Sequence, residues 1–115
     1  FVSFAADAAL GPLILISDLA YHSKCLKADP RASLLIADAV AEGDPMLTFR
    51  VTLQGSFAPE DSDAARACFL ARHPYAEVYA GFGDFNIWRL QAVHAHIIAG
   101  FGRAYGVRYQ DIARP

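Results

Sequence analysis

At 115 residues, 55 % of them apolar and 19 % charged, the chain is long enough for one packed domain and too apolar for disorder. A net charge of −2 with Lys and Arg scattered excludes a nucleic-acid or polybasic membrane surface, and no apolar run approaches the roughly 20 residues that cross a bilayer. Cys25 and Cys68 stand in no CxxC or zinc spacing; they read as reduced thiols at half-buried helical positions, and the lack of a disulfide framework points to the cytoplasm.

The chain opens on "FVSFA" (1–5), a short β-branched and aromatic run, and "DAALGP" (7–12) supplies turn chemistry. "LILIS" (13–17) completes a hairpin. Its LILI run does not alternate, so that strand is expected to be buried on both faces. No Met begins the chain, and a preceding N-terminal piece is expected. A short helix follows, with Ser17 or Asp18 as N-cap, Leu19, His22, Cys25 and Leu26 at helical spacing, and Pro30 as its stop. "ASLLIADAV" (32–40) reads as a third strand and "EGDP" (42–45) as a turn.

"MLTFRVTLQGSF" (46–57) alternates most clearly: Leu47, Phe49, Val51 and Leu53 on one face, Thr48, Arg50, Thr52 and Gln54 on the other. "PEDSDAARACFLARH" (59–73) is a helix with acids at its start and Arg72-His73 at its end, matching the macrodipole. "PYAEVYAGF" (74–82) starts a second short helix at Pro74. "DFNIWRLQAVHAHIIAGFG" (84–102) is a long strand, and "RAYGVRYQ" (103–110) a last strand. Strands in series with two helical insertions make an α+β barrel rather than alternating βαβ units.

Chemistry-bearing residues concentrate in two places. A helix start beside Ser17, His22, Ser23 and Lys24 offers N–H groups, hydroxyls and cations to an anion. Arg50, with Thr52 beside it, can grip a phosphate or a heterocycle's carbonyl oxygens through paired donors. His94 and His96 share a strand face, but no third ligand stands at strand spacing, so they read as a solvent or interface pair and no metal site is assigned. The two GxG runs, "GFGDFN" and "GFGRAY", lack the third glycine of a dinucleotide fingerprint.

Four blocks in order, "LILISDLAYHSKCLKADPRASLLIAD", "GDPMLTFRVTLQG", "ARHPYAEVYAGFGDFNIWRL" and "GFGRAYGV", resemble the pyridoxamine 5′-phosphate oxidase-like FMN-binding split barrels, and most closely their haem-utilisation branch. The resemblance implies a single domain over 1–115. The fold would be a six-stranded, mainly antiparallel Greek-key split barrel with short helices, whose usual first strand precedes Phe1. It also implies a homodimer with FMN in the groove between subunits. Ser17, His22, Ser23 and Lys24 would then hold the phosphate, Arg50 and Thr52 would pass the flavin ring, and Arg103 would reach the cofactor. Ala20-Tyr21-His22 stands where pyridoxamine phosphate oxidases carry a Ser-Arg-Lys type triplet. The expected function is FMN-dependent oxidoreduction of a small molecule by a cytoplasmic dimer. The alternatives are a haem-binding, haem-utilisation protein, with His94, His96 or a residue outside this sequence on the iron and Asp84 orienting a water, and a dimeric binding module without cofactor.

Overall fold

The computed structural model describes residues 1–38, 42–100 and 102–112, side chains of Tyr79 and Ala80 excepted. Its strands form one six-stranded sheet in the order β1-β2-β5-β4-β3, with β6 also paired to β5, the arrangement expected of the split barrel. Two compact units make up the chain: residues 1–31 with 56–91, and residues 32–55 with 92–115.

In the first unit, β1 (Ser3–Asp7) and β2 (Gly11–Ser17) form the predicted hairpin, in antiparallel register with Ser3 opposite Leu15 and Asp7 opposite Gly11. Asp7 Oδ1 accepts from Ala9 N and Leu10 N at 2.7 and 2.8 Å, and Gly11 takes φ 79°. Those two devices close the turn. Leu13, Ile14, Leu15 and Ile16 are all buried, so the non-alternating run marks a strand covered on both faces, as read from the sequence. One face packs Ala5, Leu13, Leu15 and Ile87 against Ala65, Phe69 and Ala76.

Phe69 belongs to α2 (Asp63–Arg72), which starts later than the predicted residue 59 because Ser62 takes the N-cap and accepts from Ala65 N at 3.1 Å. A 3₁₀ turn at Pro74–Ala76 and a short α3 (Glu77–Ala80) follow where Pro74 was expected to restart a helix. His73 does more than end α2: its Nε2 meets Phe4 O at 2.6 Å and its Nδ1 meets Tyr75 OH at 3.1 Å. Cys68 Sγ donates to Ala6 O at 3.6 Å. Pro12, which has no N–H, lies opposite Ala6, so Phe4 and Ala6 turn their backbone groups away from β2.

Helix α1 (Tyr21–Ala28) corrects the capping expectation. Its N-cap is Ala20, with no side-chain bond, because Ser17 ends β2 and its hydroxyl is engaged elsewhere. Ser23 and Leu26 form its buried face, whereas Leu19, His22 and Cys25 are exposed; Cys25 was expected half-buried, as only Cys68 is.

The second unit departs further from expectation. The third strand, β3 (Arg31–Ala37), buries only Leu34, and residues 39–40 of the predicted run lie outside the described residues. The fourth, β4 (Arg50–Pro59), starts four residues late. Asp44 accepts from Met46 N at 2.9 Å and Pro45 opens a 3₁₀ turn, Pro45–Leu47, that replaces the first strand residues. Leu47 and Phe49 therefore stand exposed instead of facing a core. The 16-residue β5 (Phe85–Gly100) pairs β2 with its first half and, in the second unit, β6 (Arg103–Arg108) with its last. Gly102, at φ 73°, turns that hairpin. The chain then coils into α4 (Tyr109–Ile112), where an extended run to residue 110 was expected. No helix among the described residues is long and apolar enough to cross a membrane.

Candidate functional site

The strand–helix corner expected to hold a phosphate is tied to itself. Ser17 Oγ donates to Asp84 Oδ2 at 2.9 Å and accepts from Leu19 N at 3.1 Å. Ser23, fully buried, donates through Oγ to Ser17 O at 2.5 Å. Asp18 N donates to Asp84 O at 2.6 Å, and Asp18 Oδ1 accepts from Asn86 Nδ2 at 3.0 Å and faces Lys27 Nζ at 3.3 Å. Both hydroxyls are thus committed, and two carboxylates occupy the corner. Like charge works against a phosphate there. His22 and Lys24 project into solvent on α1, in no ion pair among the described residues. In this geometry the corner does not fit an FMN phosphate. Asp84 spends its Oδ2 on the Ser17 hydroxyl.

Arg50 and Thr52 are half-buried on β4. The Arg50 guanidinium turns back on its own segment, Nη1 donating to Thr48 O at 3.2 Å and Met46 O at 3.4 Å. It braces the 3₁₀ turn. Arg103 opens β6 beside Gly102; it is exposed and forms no ion pair among the described residues.

A feature missed in the sequence lies in the same unit. The His94 ring is half-buried, its Nδ1 is buried without a hydrogen-bond partner, and its Nε2 lies against Gly106 of β6. A glycine inside a strand signals close approach of another group. "RAYGV" carried that signal, but nothing local says which group approaches.

A family model described as CREG, beta-barrel matches residues 3–112. The chain is 36 % identical over 107 residues to the chloroplastic non-canonical haem oxygenase HOZ of Arabidopsis thaliana, covering 90 % of this chain and 32 % of that protein. It is 26 % identical over 109 residues to the haem oxygenase HutZ of Vibrio cholerae, covering 89 % of this chain and 62 % of that protein. A solved haem-binding protein from Mycobacterium smegmatis superposes with a TM-score of 0.89 at 34 % identity, over 98 % of this chain and 48 % of that one. The chain therefore spans about a third to under two thirds of these relatives. All three are named for haem and none for FMN, and with the sealed corner this moves the reading from flavin to the haem alternative.

Proposed function

The chain belongs to the CREG β-barrel family, and from that premise we propose that it is the barrel of a haem-utilisation protein and binds haem as its cargo or substrate. The observation that carries this reading is a likeness of 34–36 % identity, over 90–98 % of this chain, to two proteins named for haem. Bound haem would supply iron-centred redox chemistry, and the chain's residues would hold and orient it.

Local chemistry supports the reading in the second unit. Haem asks for an imidazole, flat apolar cover and a cation near its carboxylates. The second unit carries His94 and His96 on one face of the β5–β6 hairpin, exposed Phe49 on the segment before β4, and exposed Arg103 at the start of β6. Of the residues picked from the sequence, Arg103 is assigned to a haem carboxylate. A second copy of the chain is the proposed partner. Leu35, Met46, Leu47, Phe49 and Val93 leave this unit with more exposed apolar side chain than a solitary surface needs. The cytoplasm remains the proposed location for this chain, although one relative is chloroplastic.

Titration with haemin tests the proposal. A saturable Soret band with one haem per chain, or one per pair of chains, is expected, while added FMN keeps its free fluorescence. Haemin absorbance that merely adds to that of the protein would overturn it.

A further inference from the structure

In the first unit, the outer edge of β1 and helix α2 border a groove of about 560 Å³, lined by residues 4–7 of the strand and by Cys68, Ala71 and Arg72 of the helix. Its size is that of a small-molecule site.

The hydrogen-bonding groups along this groove are unbalanced. In an antiparallel strand the N–H and C=O of one residue point to the same side. Phe4 and Ala6, turned away from β2, therefore each direct one carbonyl and one amide to the outer edge. Both carbonyls are engaged, Phe4 O with His73 Nε2 at 2.6 Å and Ala6 O with Cys68 Sγ at 3.6 Å. Both amides lack a partner among the described residues. Helix α2 thus occupies the acceptors of the edge and leaves its donors open. An added strand needs both kinds of group; a carboxylate only accepts.

Charge is laid out along the groove to match. The two helix contacts fix the alignment: His73 stands by Phe4 and Cys68 by Ala6, so Arg72 belongs to the Phe4 end and Asp7 to the other. Arg72 is exposed and in no ion pair among the described residues. Asp7 Oδ1 accepts from Ala9 N and Leu10 N. Burial first, and the Asp7 charge second, raise the Cys68 pKa, which marks the Ala6 end as the negative one. Ala6 and Ala71 bring no charge and little bulk to the lining.

We infer that this groove binds a small monocarboxylate with an apolar body, its carboxylate held by the Arg72 guanidinium and the free Phe4 amide, its tail lying along β1 toward Asp7. A guanidinium meets a carboxylate through paired N–H donors. The Asp7 charge disfavours a second anionic group at the far end. This site is separate from the haem reading and stands or falls without it.

Octanoate is the probe, its extended chain about as long as the roughly 10 Å of strand from Phe4 to Asp7. The isotopically labelled chain is titrated with it and read by amide chemical shifts. Saturable shifts are expected at the Phe4 and Ala6 amides. Arg72→Gln should weaken binding about tenfold or more, with an unchanged circular dichroism spectrum. Octanol, the same body without the charge, should bind the wild type more weakly by a similar factor, a comparison that needs no variant to fold. Octanedioate should also bind the wild type more weakly than octanoate. Asp7→Asn, which keeps an Oδ1 acceptor for the turn, should close that gap. Absence of shifts at millimolar octanoate overturns the inference. So does octanol binding as well as octanoate, which would make the groove an apolar crevice only, and so does octanoate affinity that survives Arg72→Gln. A gap between the two acids that persists in Asp7→Asn overturns the direction given to the tail.

Discussion

Ser17 and Asp84, 67 positions apart in the chain, are joined side chain to side chain at 2.9 Å, and the backbone beside them repeats the link from Asp18 N to Asp84 O at 2.6 Å. The end of β2 is thereby stapled to the start of β5. Ser23 fastens α1 to the same point through the Ser17 carbonyl. These bonds make the corner a piece of scaffold.

Its removal should register as lost stability. Ser23→Ala takes the buried donor from the Ser17 carbonyl, and Asp84→Ala takes the acceptor from the Ser17 hydroxyl. Each should cost about 1–2 kcal/mol in urea unfolding, with haemin affinity unchanged.

His22 and Lys24, by contrast, are exposed on α1. Reversing both charges, as His22→Glu with Lys24→Glu, should change stability by no more than about 0.5 kcal/mol. Equilibrium dialysis should show the same FMN retention in variant and wild type; a fall confined to the variant would restore the corner as an anion site.

Arg50→Ala removes the donors to the Met46 and Thr48 carbonyls. A loss of about 1 kcal/mol is expected. Hydrogen exchange should locate it, with faster exchange at Leu47 N and Thr48 N, the amides that close the 3₁₀ turn onto Asp44 O and Pro45 O.

Asp29 and Arg31 form a pH-sensitive pair on the surface. Arg31 Nε and N donate to Asp29 Oδ1 at 3.1 Å each and Nη2 donates to Oδ2 at 2.7 Å. The side-chain bonds chiefly, and the backbone bond next, lower the Asp29 pKa from an ordinary 3.8 to about 2. Because the folded value is the depressed one, this contribution is present above the unfolded pKa and lost as pH falls through about 2. Solvent screening keeps it small. Arg31→Gln should raise the Asp29 titration toward 3.8 in carboxyl NMR and flatten the acid limb of stability between those values.

The thiols should separate kinetically. Cys25 is exposed, whereas burial first and the Asp7 charge second raise the Cys68 pKa, and its Sγ is bonded to Ala6 O. Iodoacetamide followed by mass spectrometry should find Cys25 alkylated well before Cys68.

What could be read from the chain followed the range of each interaction. The LILI run announced a strand covered on both faces because burial leaves its mark in consecutive residues. Ser62, with acids around it, lay inside the predicted helix rather than at its edge, since the chain offers several possible caps and only packing selects one. The late start of β4 was written locally in Asp44-Pro45, but the alternation of Leu47 and Phe49 outweighed it. Two facts about the site had no local signature. Ser17 looked free because Asp84 is remote, and His94 looked like half of a solvent pair because Gly106 reaches it only across a hairpin.

The outer edge of β1 carries one more implication. Sheet edges recruit strands from other molecules by offering unpaired carbonyls and amides. Here the carbonyls of Phe4 and Ala6 already receive His73 and Cys68. An intruding chain would find its acceptors taken, so runaway growth of the sheet from this side is discouraged by two side chains whose other duties are to end and to pack a helix.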